Sequence, residues 1–175
     1  MTAMGTPIVD IRGLTVDYIM HGGFFSRVKQ AIRVINHIDL QIFAGETIGI
    51  VGESGCGKST LAYGITRLVE PTDGEIIFQG TDILKFNKSD LRNLRQNIQL
   101  VFQDPFSSLN PRMNIFELVA EPLRTHSEMN ASELERQVEE LLKKVGVSSE
   151  FMNRYPHQLS GGQAQRVNLA RALSL

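Results

Sequence analysis

The chain has 175 residues, of which 42% are hydrophobic and 21% charged, with a formal net charge of −1 and a pI near 6.4. This is the composition of a globular protein large enough to close one core, and it lacks the basic footprint of a nucleic-acid binder. No apolar run reaches the ~18 residues a spanning helix needs and the N-terminus has no secretory pattern, so any membrane role has to come through a partner. The single Cys56 excludes an intramolecular disulfide framework and points to a reducing compartment.

Residues 1–7 read as a frayed start. Residues 8–11 and 14–18 are strand material, and 21–26 form a loop. Residues 31–35 and 38–42 alternate apolar and polar, as half-buried antiparallel strands do. Ala44 and Gly45 turn the chain into residues 46–51, whose short, apolar and β-branched run predicts a buried parallel strand.

The stretch that follows organises the rest. Gly52, Glu53, Ser54, Gly55, Cys56, Gly57, Lys58, Ser59 and Thr60 fit the phosphate-binding pattern G-x-x-x-x-G-K-[ST] at every fixed position. Leu61, Ile65 and Leu68 then repeat at helical spacing. Glycine permits positive φ and leaves no Cβ between main chain and ligand. Successive amides can therefore turn inward as an anion nest at the positive end of the following helix. Lys58 adds a point charge for the outer phosphates, and the Ser59 hydroxyl suits Mg²⁺. Cys56 is a small filler of this loop.

Further on, residues 70–74 read as a turn, 75–78 as a strand, and Gln79 with Gly80 as another turn. A short helix over 89–95 is predicted with Ser89 or Asp90 as its cap, and a second buried strand over 98–102. Asn110 reads as a helix cap with Pro111 at the first helical position; Ile115, Leu118 and Val119 form the apolar face and Pro122 the limit. Ser132 and Glu135 form a capping box before a stripe of Leu134, Val138, Leu141, Leu142 and Val145, which Gly146 stops. Ser160 and Gln163 make another box, opening a helix whose inner face is Ala164, Val167, Ala170 and Leu173. Gly161 and Gly162 make that helix start a second potential anion site. His21, His37, His126 and His157 show no metal-ligand spacing.

Leu159, Ser160, Gly161, Gly162 and Gln163, about a hundred residues after the phosphate loop, resemble the signature of the ATP-binding cassette (ABC) family. Gln103 matches its Q-loop, and Tyr18 lies where its adenine-stacking aromatic falls. Residues 102–111, together with 121–124 and 154–157, look like the oligopeptide, dipeptide and nickel importer branch. The resemblance implies an α/β fold, a P-loop NTPase cassette with an antiparallel β subdomain, a helical subdomain and a parallel core left incomplete at its C-terminal end. One cassette domain would occupy residues 1–175: β subdomain and phosphate-loop core over 1–104, helical subdomain over 105–158, signature and its helix over 159–175.

It further implies that residues 52–60 and Tyr18 hold ATP, and that Ser59 and Gln103 hold Mg²⁺. Gln103 would act in the catalytic cycle by reporting the γ-phosphate to a transmembrane permease. Ser160, Gly161, Gly162 and Gln163 would meet the ATP of a second ABC ATPase subunit, identical or not. The protein would be peripheral on the cytoplasmic face of the plasma membrane, powering import of peptides or similar small solutes. In the family, a strand ending in Asp-Glu, a D-loop and a switch histidine follow the signature helix, whereas the sequence given stops at Leu175. Asp104 and His157 are no substitutes on position. A nucleotide-binding but hydrolysis-incompetent fragment is therefore the alternative reading. A soluble ABC-type ATPase would need a coiled-coil insertion or basic arm, which these residues lack.

Overall fold

The computed structural model describes residues 5–21 and 29–175; most of the loop expected over 21–26 lies outside them. The chain divides into two compact units, Met1–Asn93 and Leu94–Leu175.

The first unit is built on an antiparallel sheet in the order β2-β1-β3-β4. The strands are β1 (Val9–His21), β2 (Lys29–Ile42), β3 (Asp73–Phe78) and β4 (Thr81–Asp82). The paired strand segments expected before residue 43 are thus two long strands bent by bulges. Along β1 the buried residues change parity, from Val9 and Ile11 to Leu14 and Val16, and the register with β2 shifts between Ile11 and Leu14. Gly13, at φ 57°, absorbs the extra residue, and Asp39 Oδ1 accepts its amide hydrogen at 2.7 Å. The buried side chains therefore keep facing one core. Gly74 is required by space: a Cβ there would lie 2.7 Å from the carbonyl oxygens of Arg12 and Gly13. Gln79 and Gly80, both at positive φ, close the β3–β4 hairpin as the turn reading expected.

Helix α1 (Lys58–Ile65) packs on this sheet; a Cβ added to Gly64 would touch Val16 and Leu14. Helix α2 (Lys88–Leu94) follows, started by Asn87, whose Oδ1 accepts from the amides of Ser89 and Asp90. That corrects Ser89 or Asp90 as its cap. Two strand expectations fail. Residues 46–51 and 98–102 enter no ladder among the described residues, and Val51 is 93% exposed. Apolar β-branched composition favours extended backbone, but a strand exists only through a hydrogen-bonded neighbour, and every ladder described is antiparallel.

The second unit is helical: α3 (Pro105–Ser108), α4 (Ile115–His126), α5 (Ala131–Lys144) and α6 (Gly161–Ala172). Its core joins Leu118, Val119, Leu123, Leu134, Val138, Leu141, Leu142, Ala164, Val167 and Ala170. Three boundaries differ from expectation. Asn110 shapes a turn, accepting from the amide of Arg112, and Asn114 caps α4 in a full box with Glu117. Pro122 lies inside α4. Burying Ile115, Leu118, Val119 and Leu123 returns about 1.5–3 kcal/mol each, more than the roughly 3 kcal/mol an internal proline costs. Asn130 with Glu133, two residues before the predicted box, opens α5, and Ser132 donates to Asn130 Oδ1 at 2.7 Å. The α5 stripe and the stop at Gly146, φ 70°, are as expected.

Candidate functional site

The phosphate-binding pattern forms a tight loop entering α1. Gly55 stands at φ 83° and Gly57 at φ 99°, both in the left-handed region. Gly57 is the N-cap of α1, and no side chain caps that helix. One cause produces both facts. A Cβ at Gly57 would lie 2.9 Å from Ile35 Cδ1 and 3.1 Å from the Val34 carbonyl oxygen, so β2 excludes every capping residue. The first-turn amides of α1 therefore point outward without an internal side-chain acceptor, at the positive end of the helix dipole.

Lys58 is held over this loop. Its Nζ donates to the carbonyl oxygens of Gly52 at 2.8 Å and Glu53 at 2.5 Å, and lies 3.5 Å from Cys56 Sγ. An ammonium has three hydrogens, and the loop orients all three, so the charge is positioned rather than free on its stem. Cys56 also fills the space beside Gly52, where a Cβ would come within 2.7 Å of the sulfur. Ser59, Glu53 and Ser54 are exposed, and Thr60 is half-buried in the first turn. The arrangement suits an anion with several oxygens in a row. Among the described residues no group of three or more His, Cys, Asp or Glu could hold a metal ion. The Ser59 hydroxyl is a hard oxygen donor of the kind Mg²⁺ accepts beside phosphates and water.

The signature residues lie together in the second unit. Ser160 Oγ accepts from the Gln163 amide at 3.3 Å, and Gln163 Oε1 accepts from the Ser160 amide at 2.9 Å. The expected box is complete, leaving the exposed amides of Gly161 and Gly162. Of its expected inner face, Ala164, Val167 and Ala170 are fully buried, but Leu173 is 60% exposed; Asn168 is buried on that helix instead. A polar residue breaking an apolar stripe was the signal that could have found it.

Gln103 is exposed in the same unit. Next to it, Asp104 caps α3, its Oδ1 accepting from the Phe106 amide at 3.0 Å, so its carboxylate is engaged in the fold. His157 stacks on Tyr155 with ring centroids 5.8 Å apart. Tyr18 is a 40% exposed ring on β1, opposite Ile32.

The family model described as ABC transporter matches residues 35–175, which hold both the phosphate loop and the signature. The chain belongs to the ABC transporter family. Relatives include the oligopeptide transport ATP-binding protein AppF of Bacillus subtilis, 44% identical over 96% of this chain and 51% of its own length. OppF of Escherichia coli, another oligopeptide transport ATP-binding protein, is 43% identical over 96% of this chain and 51% of that protein. The glutathione import ATP-binding protein GsiA of Salmonella paratyphi A is 43% identical over 98% of this chain and 27% of its own. The chain thus spans about half the length, or less, of these curated relatives. The ABC fold is equally clear in three dimensions. A dimeric post-hydrolysis structure of the ATP-binding cassette MJ0796, bound to ADP and Pi, superposes with a TM-score of 0.82 at 33% identity. It covers 95% of this chain and 69% of that one.

Proposed function

We propose that this chain carries the ATP-binding part of an ABC importer's ATPase subunit, powering uptake of peptides or similar small solutes. The observation that carries the reading is the uncapped start of α1, with Lys58 fixed above a glycine loop by Gly52 and Glu53. In this reading the amides of residues 52–60 bind the phosphates, and Lys58 faces the β- and γ-phosphates. Tyr18 stacks on the adenine. Ser59 and Gln103 supply oxygen ligands to Mg²⁺, which when bound neutralises phosphate charge. Gln103 passes the state of the γ-phosphate to a membrane permease.

A second ABC subunit completes the assembly. Its residues 160–163 present the Gly161 and Gly162 amides to this subunit's nucleotide, and the reverse, so that binding energy becomes closure of the pair. The dimeric MJ0796 structures support that arrangement. The names of AppF, OppF and GsiA support an importer of peptide-like solutes. Among the described residues no helix is long and apolar enough to cross a membrane, which fits a peripheral position on the cytoplasmic face, with the permease spanning the bilayer.

Two measurements test this. Calorimetric titration should rank Mg-ATP and Mg-ADP at least tenfold tighter than Mg-AMP, because the loop and Lys58 read the outer phosphates, each charged contact being worth about 1.5–3 kcal/mol. Equal affinity for AMP would contradict phosphate-loop recognition. Tagged protein purified from mild detergent should bring a multi-spanning membrane protein with it, and its failure to do so would remove the permease from the account.

A further inference from the structure

Asn168 is a buried polar residue with 6% of its surface exposed, on the helix that the signature opens. Its partners lie sixty and more residues earlier, immediately behind Gln103. Asn168 Nδ2 donates to the Pro105 carbonyl oxygen at 3.0 Å. Ser108 Oγ lies 3.0 Å from Asn168 Oδ1 and 2.9 Å from the Pro105 carbonyl oxygen, so its one hydrogen is shared between them. Because a carbonyl can only accept, the amide orientation of Asn168 is fixed by its partners.

The need for these bonds comes from α3. A four-residue helix makes few backbone hydrogen bonds of its own, which leaves its carbonyls open to outside donors. Helix α6 supplies such donors: Asn168 to Pro105, beside the Ser108 hydroxyl, and Arg171 to the Ser108 carbonyl oxygen at 3.2 Å. Arg171 also donates to Glu121 Oε2 at 2.8 Å, tying the same helix to α4. The segment leaving Gln103 is thus bolted to the segment leaving residues 160–163.

We propose that Asn168 is a positioning residue, fastening the backbone behind Gln103 to the signature helix so that displacement of one displaces the other. The inference rests on the reading of Gln103 as reporter of bound nucleotide. Asn168 touches neither nucleotide nor metal; it acts through α3.

Hydrogen exchange on the 175-residue chain, with and without Mg-ATP, tests it. In the wild type, Mg-ATP should slow exchange over residues 52–60 and change it over 161–164. Asn168→Ala should keep the first response and lose at least about fivefold of the second, as expected for an uncoupled hydrogen-bond pair. Val167→Ala, which hollows the buried face of the same helix without removing a hydrogen bond to α3, should keep both responses, and that separates fastening from general loosening. If Asn168→Ala does not fold, Ser108→Ala takes its place with the same expectation in a weaker form. A response at 161–164 undiminished in Asn168→Ala or Ser108→Ala, or absent from the wild type while 52–60 is protected, overturns the inference alone. No protection over 52–60 in the wild type overturns the nucleotide reading beneath it, and the two failures are distinguished by that segment.

Discussion

Two helices of this molecule begin beside glycines, and they treat their first amides differently. At α6, Ser160 and Gln163 accept from each other's amides, so two of the first amides are satisfied by the helix's own residues and those of Gly161 and Gly162 are left. At α1, the N-cap is Gly57, no side chain accepts, and the space where one would stand is filled by Val34 and Ile35 of β2. An amide satisfied internally contributes to stability, whereas one left outward is available to a ligand. The difference is one of extent: no side chain accepts from the first turn of α1, whereas a reciprocal box takes up part of the first turn of α6.

The comparison can be broken most severely at Gly57. Gly57→Val places a β-branched residue at φ 99° against Ile35 and Val34. It should cost roughly 3 kcal/mol in denaturant unfolding and abolish measurable ATP binding. At α6, Ser160→Ala removes the cap alone. It should cost about 1 kcal/mol, or roughly 3 °C in thermal midpoint, while ATP affinity of the single chain stays within about twofold. A large loss of affinity there would mean that the two helix starts are not the separate devices described. Asn130→Ala, at a capped helix outside either motif, should cost a similar ~1 kcal/mol by the same melt with no change in nucleotide binding.

The smallest effect lies on the sheet. A hydrogen bond from Arg33 holds the Asp17 carboxyl below its ordinary range, and one from Arg12 does the same for Asp10. A carboxylate depressed in the folded state stabilises it above the ordinary value near 4, and that contribution fades as pH falls through the folded value. Asp17→Asn should therefore lower the neutral-pH thermal midpoint slightly and converge with the wild type as pH falls from about 5 to 2, which flattens the acid limb. An unaltered limb would show that the Arg33 pair carries no linkage.

Much of this was legible in the residues, because the signals were local. The Gly52–Thr60 pattern, the Ser160–Gln163 box, the α5 stripe and the Gly146 stop each depend on a few neighbouring side chains and on backbone rules that tertiary structure did not override. Failures came where a partner was needed. Residues 46–51 and 98–102 have strand composition without a ladder. Pro122 sits inside a helix because burial of Leu118, Val119 and Leu123 outweighs the lost hydrogen bond. Asn114 and Asn130 outcompete Asn110 and Ser132 as caps, since each closes a reciprocal box where the apolar stripe begins. Asn168 stood out only as a polar residue on an apolar stripe, and its partners were hidden for the same reason, lying sixty and more residues away.

The most direct test of the central claim is an equilibrium titration of Mg-ATP against the wild-type chain and Lys58→Ala. Lys58 makes its contacts to the loop through Nζ, and removing the ammonium takes away the fixed charge while leaving α1 uncapped as before. The account predicts affinity at least tenfold weaker, the loss expected for one charge-assisted contact to phosphate. An unchanged affinity would contradict it.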